Sequence, residues 1–112
     1  MFAFLFGLKS VSPAALWQRA GEVTVIDVNS VQSWNAAHVP GARRLDALSF
    51  GAADLPADRA AALVFYCSNP LCRKAPTAAR RAKQMGYSDV AVMSEGIKGW
   101  IEAGLPTGSA AT

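Results

Sequence analysis

The chain has few soft metal ligands and little charge. Its 112 residues include two cysteines and one histidine. Two cysteines do not make the disulfide framework of a small secreted domain. With His38 they do not form a recognised zinc-ligand spacing, so no metal and no other cofactor is expected. Only 17% of the residues are charged, against 52% hydrophobic with three tryptophans, a balance that excludes a disordered chain. No apolar run approaches the length needed to cross a bilayer. Aromatic residues are not interleaved with the basic cluster Arg73, Lys74, Arg80, Arg81 and Lys83, so no nucleic-acid partner is expected.

What is present fits one compact domain with one core. The net charge of +3 is mild and suits small anions. The opening MFAFLFGL lacks the basic start and cleavage site of a signal peptide. An added strand or helical turn on the core is expected there, with self-association or contact with a membrane surface as the alternatives. With no secretion signal read, a reducing, cytoplasmic setting is expected. Nothing in the sequence specifies an oligomeric state.

Strand and helix signals alternate along the chain. Ser12-Pro13 reads as an N-cap followed by proline at the first helical position, opening a short helix through Leu16 and Trp17 that ends near Gly21. The run VTVID is a buried strand ending at Asp27. Ser30 caps a short helix that Pro40-Gly41 terminates. ARRLDAL is a short extended piece, and LPADRAA a turn with a helical turn inside it. ALVFY is a strand placed centrally, and APTAARRAKQMG is the clearest helix, closed by Gly86. SDVAVM is a further strand, IKGWIEAG a last short helix, and LPTGSAAT a frayed tail. This alternation predicts an α/β domain with a mostly parallel sheet flanked by helices. Ligands of such sheets sit beyond the carboxyl ends of the strands.

At that end of the central strand lies CSNPLCRKAP. A buried inert cysteine, half of a redox pair and a nucleophile are all compatible with Cys67 taken by itself. Its surroundings favour the nucleophile. The helix opening near Ala75, together with Arg73 and Lys74, is placed to lower a thiol pKa. The arch formed by Ser68, Asn69, Leu71, Cys72, Arg73 and Lys74 is placed to turn backbone N–H groups inward as an oxyanion nest, with Pro70 contributing no donor. A thiolate beside such a nest is equipped to attack the outer sulfur of thiosulfate or a phosphate monoester. The phosphate reaction also needs an acid for the leaving alkoxide, and no pattern places Asp27, Asp46, Asp54, Asp58 or Asp89 over Cys67. Cys72 is placed to resolve or tune Cys67, or simply to pack beneath the loop.

The chain resembles the single-domain rhodanese family over residues 10–107, with residues 1–9 as an apolar extension and 108–112 as a tail. VIDVNSVQSWNAAHVPGA resembles the family's Asp-Val-Arg strand end, aromatic-bearing helix and Gly-His-Ile-Pro-Gly-Ala turn. LVFYC resembles the strand that leads to the catalytic cysteine. AARRAKQMGYSDVAVMSEGIKGWIEAGLP resembles the helix, the Gly-Tyr-x-x-Val strand and the Gly-Gly-(Ile/Leu)-x-x-Trp ending. The resemblance implies a three-layer fold and a sulfurtransferase or persulfide carrier with Cys67 as the persulfide-bearing residue. The partners it implies are a small sulfur-containing anion or persulfide donor and a thiol or protein acceptor. It implies ordering roles near the site for Asp27 and His38, and a packing role for Trp100.

This sequence departs from the pattern at Asn29, where the family has arginine, at Ala37, and at Glu95-Gly96. Its loop holds Pro70 and Cys72 in place of glycine and serine, as in family members with a second loop cysteine. Cys67-x5-Arg73 matches the loop length of rhodanese-like phosphatases and arsenate reductases. That activity, and a non-catalytic regulatory domain, stand as alternatives.

Overall fold

The computed structural model describes residues 8–110. The expectation for MFAFLFGL therefore lies almost wholly outside the described residues; its last residue, Leu8, is buried in the core. Five strands, β1 (Lys9–Ser10), β2 (Thr24–Asp27), β3 (Arg43–Arg44), β4 (Leu63–Tyr66) and β5 (Val90–Val92), form one sheet in the order β1-β5-β4-β2-β3. Every pairing is parallel, with Ile26 beside Phe65 and Phe65 beside Val92. β4 is central, as its unbroken apolar run predicts, and all four of its residues are buried.

Alternation along the strands divides the core into two faces. Leu63 and Phe65 of β4, Ile26 of β2, and Val90 and Val92 of β5 face one way. They pack on Ala75, Ala78, Ala79 and Ala82 of the helix α3 (Lys74–Gln84), whose small side chains let it lie close to the sheet. Val64, Tyr66, Val25, Ala91 and Met93 face the other way, against Leu16 of α1 (Pro13–Gln18) and Ile97 and Trp100 of α4 (Gly96–Glu102). Helix α2 (Val31–Ala36) connects β2 to the turn that precedes β3.

The local signals act where the sequence placed them. Ser12 Oγ accepts from Ala15 N, with Pro13 opening α1. Ser30 Oγ accepts from Ser33 N at the start of α2. Gly41 and Gly86 take positive φ at the turn and at the helix end. Two expectations need correction. The single helical turn is a 3-10 turn at Ala52–Asp54, earlier than LPADRAA, because Asp54 Oδ2 accepts from Gly51 N and fixes it there. The tail is docked through Ala110. His38 and Gly108 exchange backbone hydrogen bonds of 3.0 and 2.8 Å, Ala110 N donates to Asn35 O, and Trp100 Nε1 donates to Pro106 O.

Candidate active site

β4 carries Cys67 to the carboxyl edge of the sheet, where it is only 3% exposed. The chain then arches back over residues 68–73 into α3. Two features of the backbone orient this arch. Cys67 O accepts from Ile97 N at 2.9 Å and Ser68 O from Lys98 N at 3.0 Å, so the loop carbonyls satisfy the first turn of α4. In a planar trans peptide the N–H points opposite to the C=O. The amides of Ser68 and Asn69 are thereby turned away from α4. Gly96 permits this approach: its φ is 67°, and a Cβ there would lie 2.5 Å from the Ser68 carbonyl carbon and 2.7 Å from Asn69 N.

The second feature is a turn. Cys72 N donates to Asn69 O at 3.1 Å, and Leu71 N to Asn69 Oδ1 at 2.9 Å. Pro70 occupies the position of this β-turn where its fixed φ is an advantage. The expected cradle is therefore narrower than residues 68–73. The Leu71 and Cys72 amides are consumed by the turn, and the Leu71 side chain stands out at 89% exposure.

Helix α3 completes the cradle. Arg73 is its N-cap residue and provides no side-chain cap. The first amides of the helix turn instead to sulfur, Ala75 N–H to Cys67 and Lys74 N–H to Cys72, while Ser68 N–H serves both. Cys67 Sγ donates to Cys72 O at 3.5 Å, and the two side chains are hydrogen-bond partners of each other. Both cysteines are free thiols.

This geometry corrects the expected electrostatics. Burial pushes the Cys67 thiol up to about 12, and its hydrogen bond to Cys72 adds to the rise, outweighing the Ala75 and Ser68 amides. For Cys72, burial opposes ionisation. It is overcome by the hydrogen bonds from Cys67, Lys74 N–H and Ser68 N–H and by the Lys74 charge, so this thiol lies below its ordinary value. The Lys74 charge thus acts on Cys72 while the helix amides are divided between the two sulfurs, and Cys72 is the more readily ionised of the pair.

Asp27 and His38, expected near the site, are held by partners outside the loop. Asp27 is fully buried at the end of β2, where it accepts the Tyr66 hydroxyl and, at 2.7 Å, Asn29 N. Burial raises its pKa against both hydrogen bonds. Tyr66 OH in turn accepts Val39 N at 3.0 Å, tying the Val39-Pro40-Gly41 turn to β4. His38 stacks on Trp34 at 3.5 Å between centroids, and its Nδ1 lies 2.8 Å from Trp34 O.

Asn29 was visible in the sequence only as a departure from the family pattern, yet it joins the site. It is 2% exposed, and its Oδ1 accepts from Ser68 Oγ at 2.8 Å, linking the end of β2 to the loop. Arg44 Nη1 donates to its carbonyl. The signal available in the sequence was its place two residues beyond Asp27, at a strand end.

A groove of about 280 Å³ runs along the outer side of the loop, between Asp46, Ala47 and Leu48 on one wall and Arg73, Lys74 and Thr77 on the other. Neither cysteine lines it. Asp46 and Leu48 had no sequence signal, because only the return of the chain after β3 brings them to α3. Among the described residues no group of three His, Cys, Asp or Glu side chains is arranged to hold a metal, and no helix is long and apolar enough to cross a membrane.

A family model described as rhodanese-like domain matches residues 12–103. The HTH-type transcriptional regulator Rv0324 of Mycobacterium tuberculosis is 37% identical over 101 residues, which are 87% of this chain and 43% of that protein. The chain thus spans less than half of that relative. Among solved structures, the BH2092 protein of Bacillus halodurans superposes with a TM-score of 0.82 at 18% identity, covering 96% of this chain and 81% of that one. A Rhodopseudomonas palustris protein described as a possible tyrosine phosphatase superposes with a TM-score of 0.74 at 21% identity, covering 95% of this chain and 88% of that one. At such identities the superpositions speak for the fold.

Proposed function

The chain belongs to the rhodanese-like domain family, and from that premise we propose that it is a sulfurtransferase or persulfide carrier working through Cys67. Sulfane sulfur would come from thiosulfate or another persulfide donor and pass to a thiol or other nucleophilic acceptor. The observation that supports this most is the convergence of two amides on the Cys67 sulfur. Ser68 N–H is aimed by α4 and Ala75 N–H by α3. Cys67 begins as a thiol, its ionisation opposed by burial. As Cys67 gives up its proton to solvent, its sulfur attacks the outer sulfur of thiosulfate. A new S–S bond forms, the S–S bond of thiosulfate breaks, and sulfite departs with the electron pair. The cradle amides stabilise the charge during transfer.

Phosphoryl or arsenate chemistry on Cys67-x5-Arg73 is less well supported. It would want more donors than a loop whose Leu71 and Cys72 amides are already bonded. It would also want an acid, and no carboxylate is among the partners found for Cys67. The likeness to an HTH-type regulator across 87% of the chain favours a second reading, a domain that senses reactive sulfur for an attached partner. Both readings require sulfur to load on Cys67; they differ in whether turnover follows.

Intact-protein mass after thiosulfate treatment tests the proposal. The Cys72→Ala variant should gain one sulfur atom, mapped to Cys67, and the gain should vanish when Cys67→Ala is added. Failure to gain sulfur from both thiosulfate and glutathione persulfide would overturn it. Vanadate-sensitive hydrolysis of an aryl phosphate would move the assignment to a phosphatase.

A further inference from the structure

Cys72 has a lowered pKa, touches the buried sulfur and shares a donor with it, yet persulfide formation on Cys67 does not require it. We propose that Cys72 resolves the persulfide by attacking the Cys67 Sγ, closing a Cys67–Cys72 disulfide and expelling the outer sulfur as hydrosulfide. This deepens the reading above and rests on it. The domain then becomes a dithiol-dependent reductase of sulfane sulfur.

The loop is folded for this step. The Asn69–Cys72 turn brings the Cys72 carbonyl within 3.5 Å of Cys67 Sγ and makes the two side chains hydrogen-bond partners. Displacement at sulfur requires the attacking, central and leaving sulfurs to be nearly in line. With its carbonyl 3.5 Å from Cys67 Sγ, Cys72 is held against that sulfur and not a further bond length away. To reach the outer sulfur in line it would have to stand a full S–S bond farther away.

The leaving groups point the same way. Attack on the outer sulfur would expel the Cys67 thiolate into a buried site, where burial, the largest cause of its raised pKa, penalises the charge. Attack on Cys67 Sγ expels hydrosulfide, a much weaker base, and the weaker base leaves faster. Ionisation of the attacker is favoured too, since Lys74 N–H and Ser68 N–H both donate to the Cys72 sulfur.

The atoms and electrons balance. Cys67–S–SH and Cys72–S⁻ give Cys67–S–S–Cys72 and HS⁻. A dithiol reductant returns the disulfide to two thiols and is itself oxidised to a disulfide. Over a full cycle, thiosulfate and a dithiol yield sulfite, hydrosulfide, a disulfide and a proton.

The test is a single turnover of reduced protein with thiosulfate and no added thiol, followed by intact mass, peptide mapping and assays for sulfite and sulfide. The wild-type protein should lose two hydrogens, carry an internal Cys67–Cys72 disulfide, and release sulfite and sulfide in equal amounts. Cys72→Ala and Cys72→Ser should release sulfite alone and keep the added sulfur on Cys67. Wild type that keeps its persulfide on Cys67, or carries the sulfur on Cys72, overturns this step while leaving the persulfide reading intact. If no protein gains or releases sulfur, the persulfide reading falls and this step falls with it.

Discussion

Two neighbouring strands reach the same edge of the sheet and end in opposite ways. β2 ends at Asp27, a strong acceptor whose carboxylate holds the Tyr66 hydroxyl and Asn29 N and whose carbonyl holds Leu45 N. β4 ends at Cys67, a sulfur that is only a weak acceptor, facing amides aimed by α3 and α4. At the first end the donors are committed to strong protein acceptors, and the result is a fixed turn. At the second they rest on sulfur, so an incoming anion or a developing sulfur charge can draw on them at little cost. The proposed reactivity sits at the end whose donors are held most loosely, and the rigid end beside it is joined to the loop through Asn29.

The most damaging change should be Gly96→Ala. The new methyl meets backbone atoms of residues 67–69 within 2.7 Å at a φ of +67°, where no flexible side chain can yield. Strain of about 1–3 kcal/mol is expected in the melting curve. Sulfur loading should fall at least tenfold, since the Ser68 amide is aimed by this contact. An Asp27–Tyr66 cluster that collapsed along with it would break the distinction between the two strand ends.

Tyr66→Phe should strike the other end. It leaves Val39 N and one Asp27 oxygen without their buried partner, at a cost of about 1–3 kcal/mol by denaturant titration. Loading on Cys67 should change less than threefold. The pH dependence sharpens this. Burial raises the Asp27 pKa in the fold, so its folded form takes up a proton more readily than its unfolded form. Its ionised state therefore costs stability at neutral pH, and the cost disappears as pH falls below the folded pKa towards 3.8. The Tyr66→Phe deficit should shrink over that window, because a protonated Asp27 no longer calls for the hydroxyl.

The two thiols should separate by alkylation. In wild type the reaction with iodoacetamide should map to Cys72, with an inflection below the ordinary thiol value, while Cys67 stays unreactive until about pH 12. In Cys72→Ala the Cys67 inflection should drop, since two of the causes that raise it are gone. It should remain above the ordinary value, because burial, the largest cause, persists. An unchanged Cys67 inflection would show that the pairing with Cys72 contributes nothing.

How much of this was legible depends on the range of the interactions. Ser12-Pro13, Ser30 and Gly86 act within one turn of chain and do what their positions predicted, whereas Pro40-Gly41 forms its turn without ending the helix, which already stops at Ala36. The central place of LVFY follows from its lack of any polar face. The docking of the tail was not legible because residues 106–110 carry no strand or helix signal and are held mainly by backbone bonds to Asn35 and His38, some seventy residues away in the chain. The site was legible in its parts and not in its polarity. The helix start and the basic residues could be seen beside both cysteines. The sharing of amides between two sulfurs depends on which carbonyls α4 captures, and that is set by Gly96 packing.

Pro70 carries the smallest prediction and the finest distinction. Read from sequence, it costs the cradle a donor. In the structure it stands at the corner of the Asn69–Cys72 turn, where the neighbouring amides of Leu71 and Cys72 already bond to Asn69. A restored N–H at residue 70 would belong to that turn and not to the sulfur. Proline there acts mainly by narrowing the unfolded ensemble, so Pro70→Ala should cost about 0.4–1 kcal/mol of stability. Sulfur loading in the Cys72→Ala background should stay within twofold, and disulfide closure with Cys72 present should slow slightly as the turn loosens. A several-fold gain in loading would mean that the sequence-based view of Pro70 as a missing donor was the better one, and that the cradle extends past Asn69.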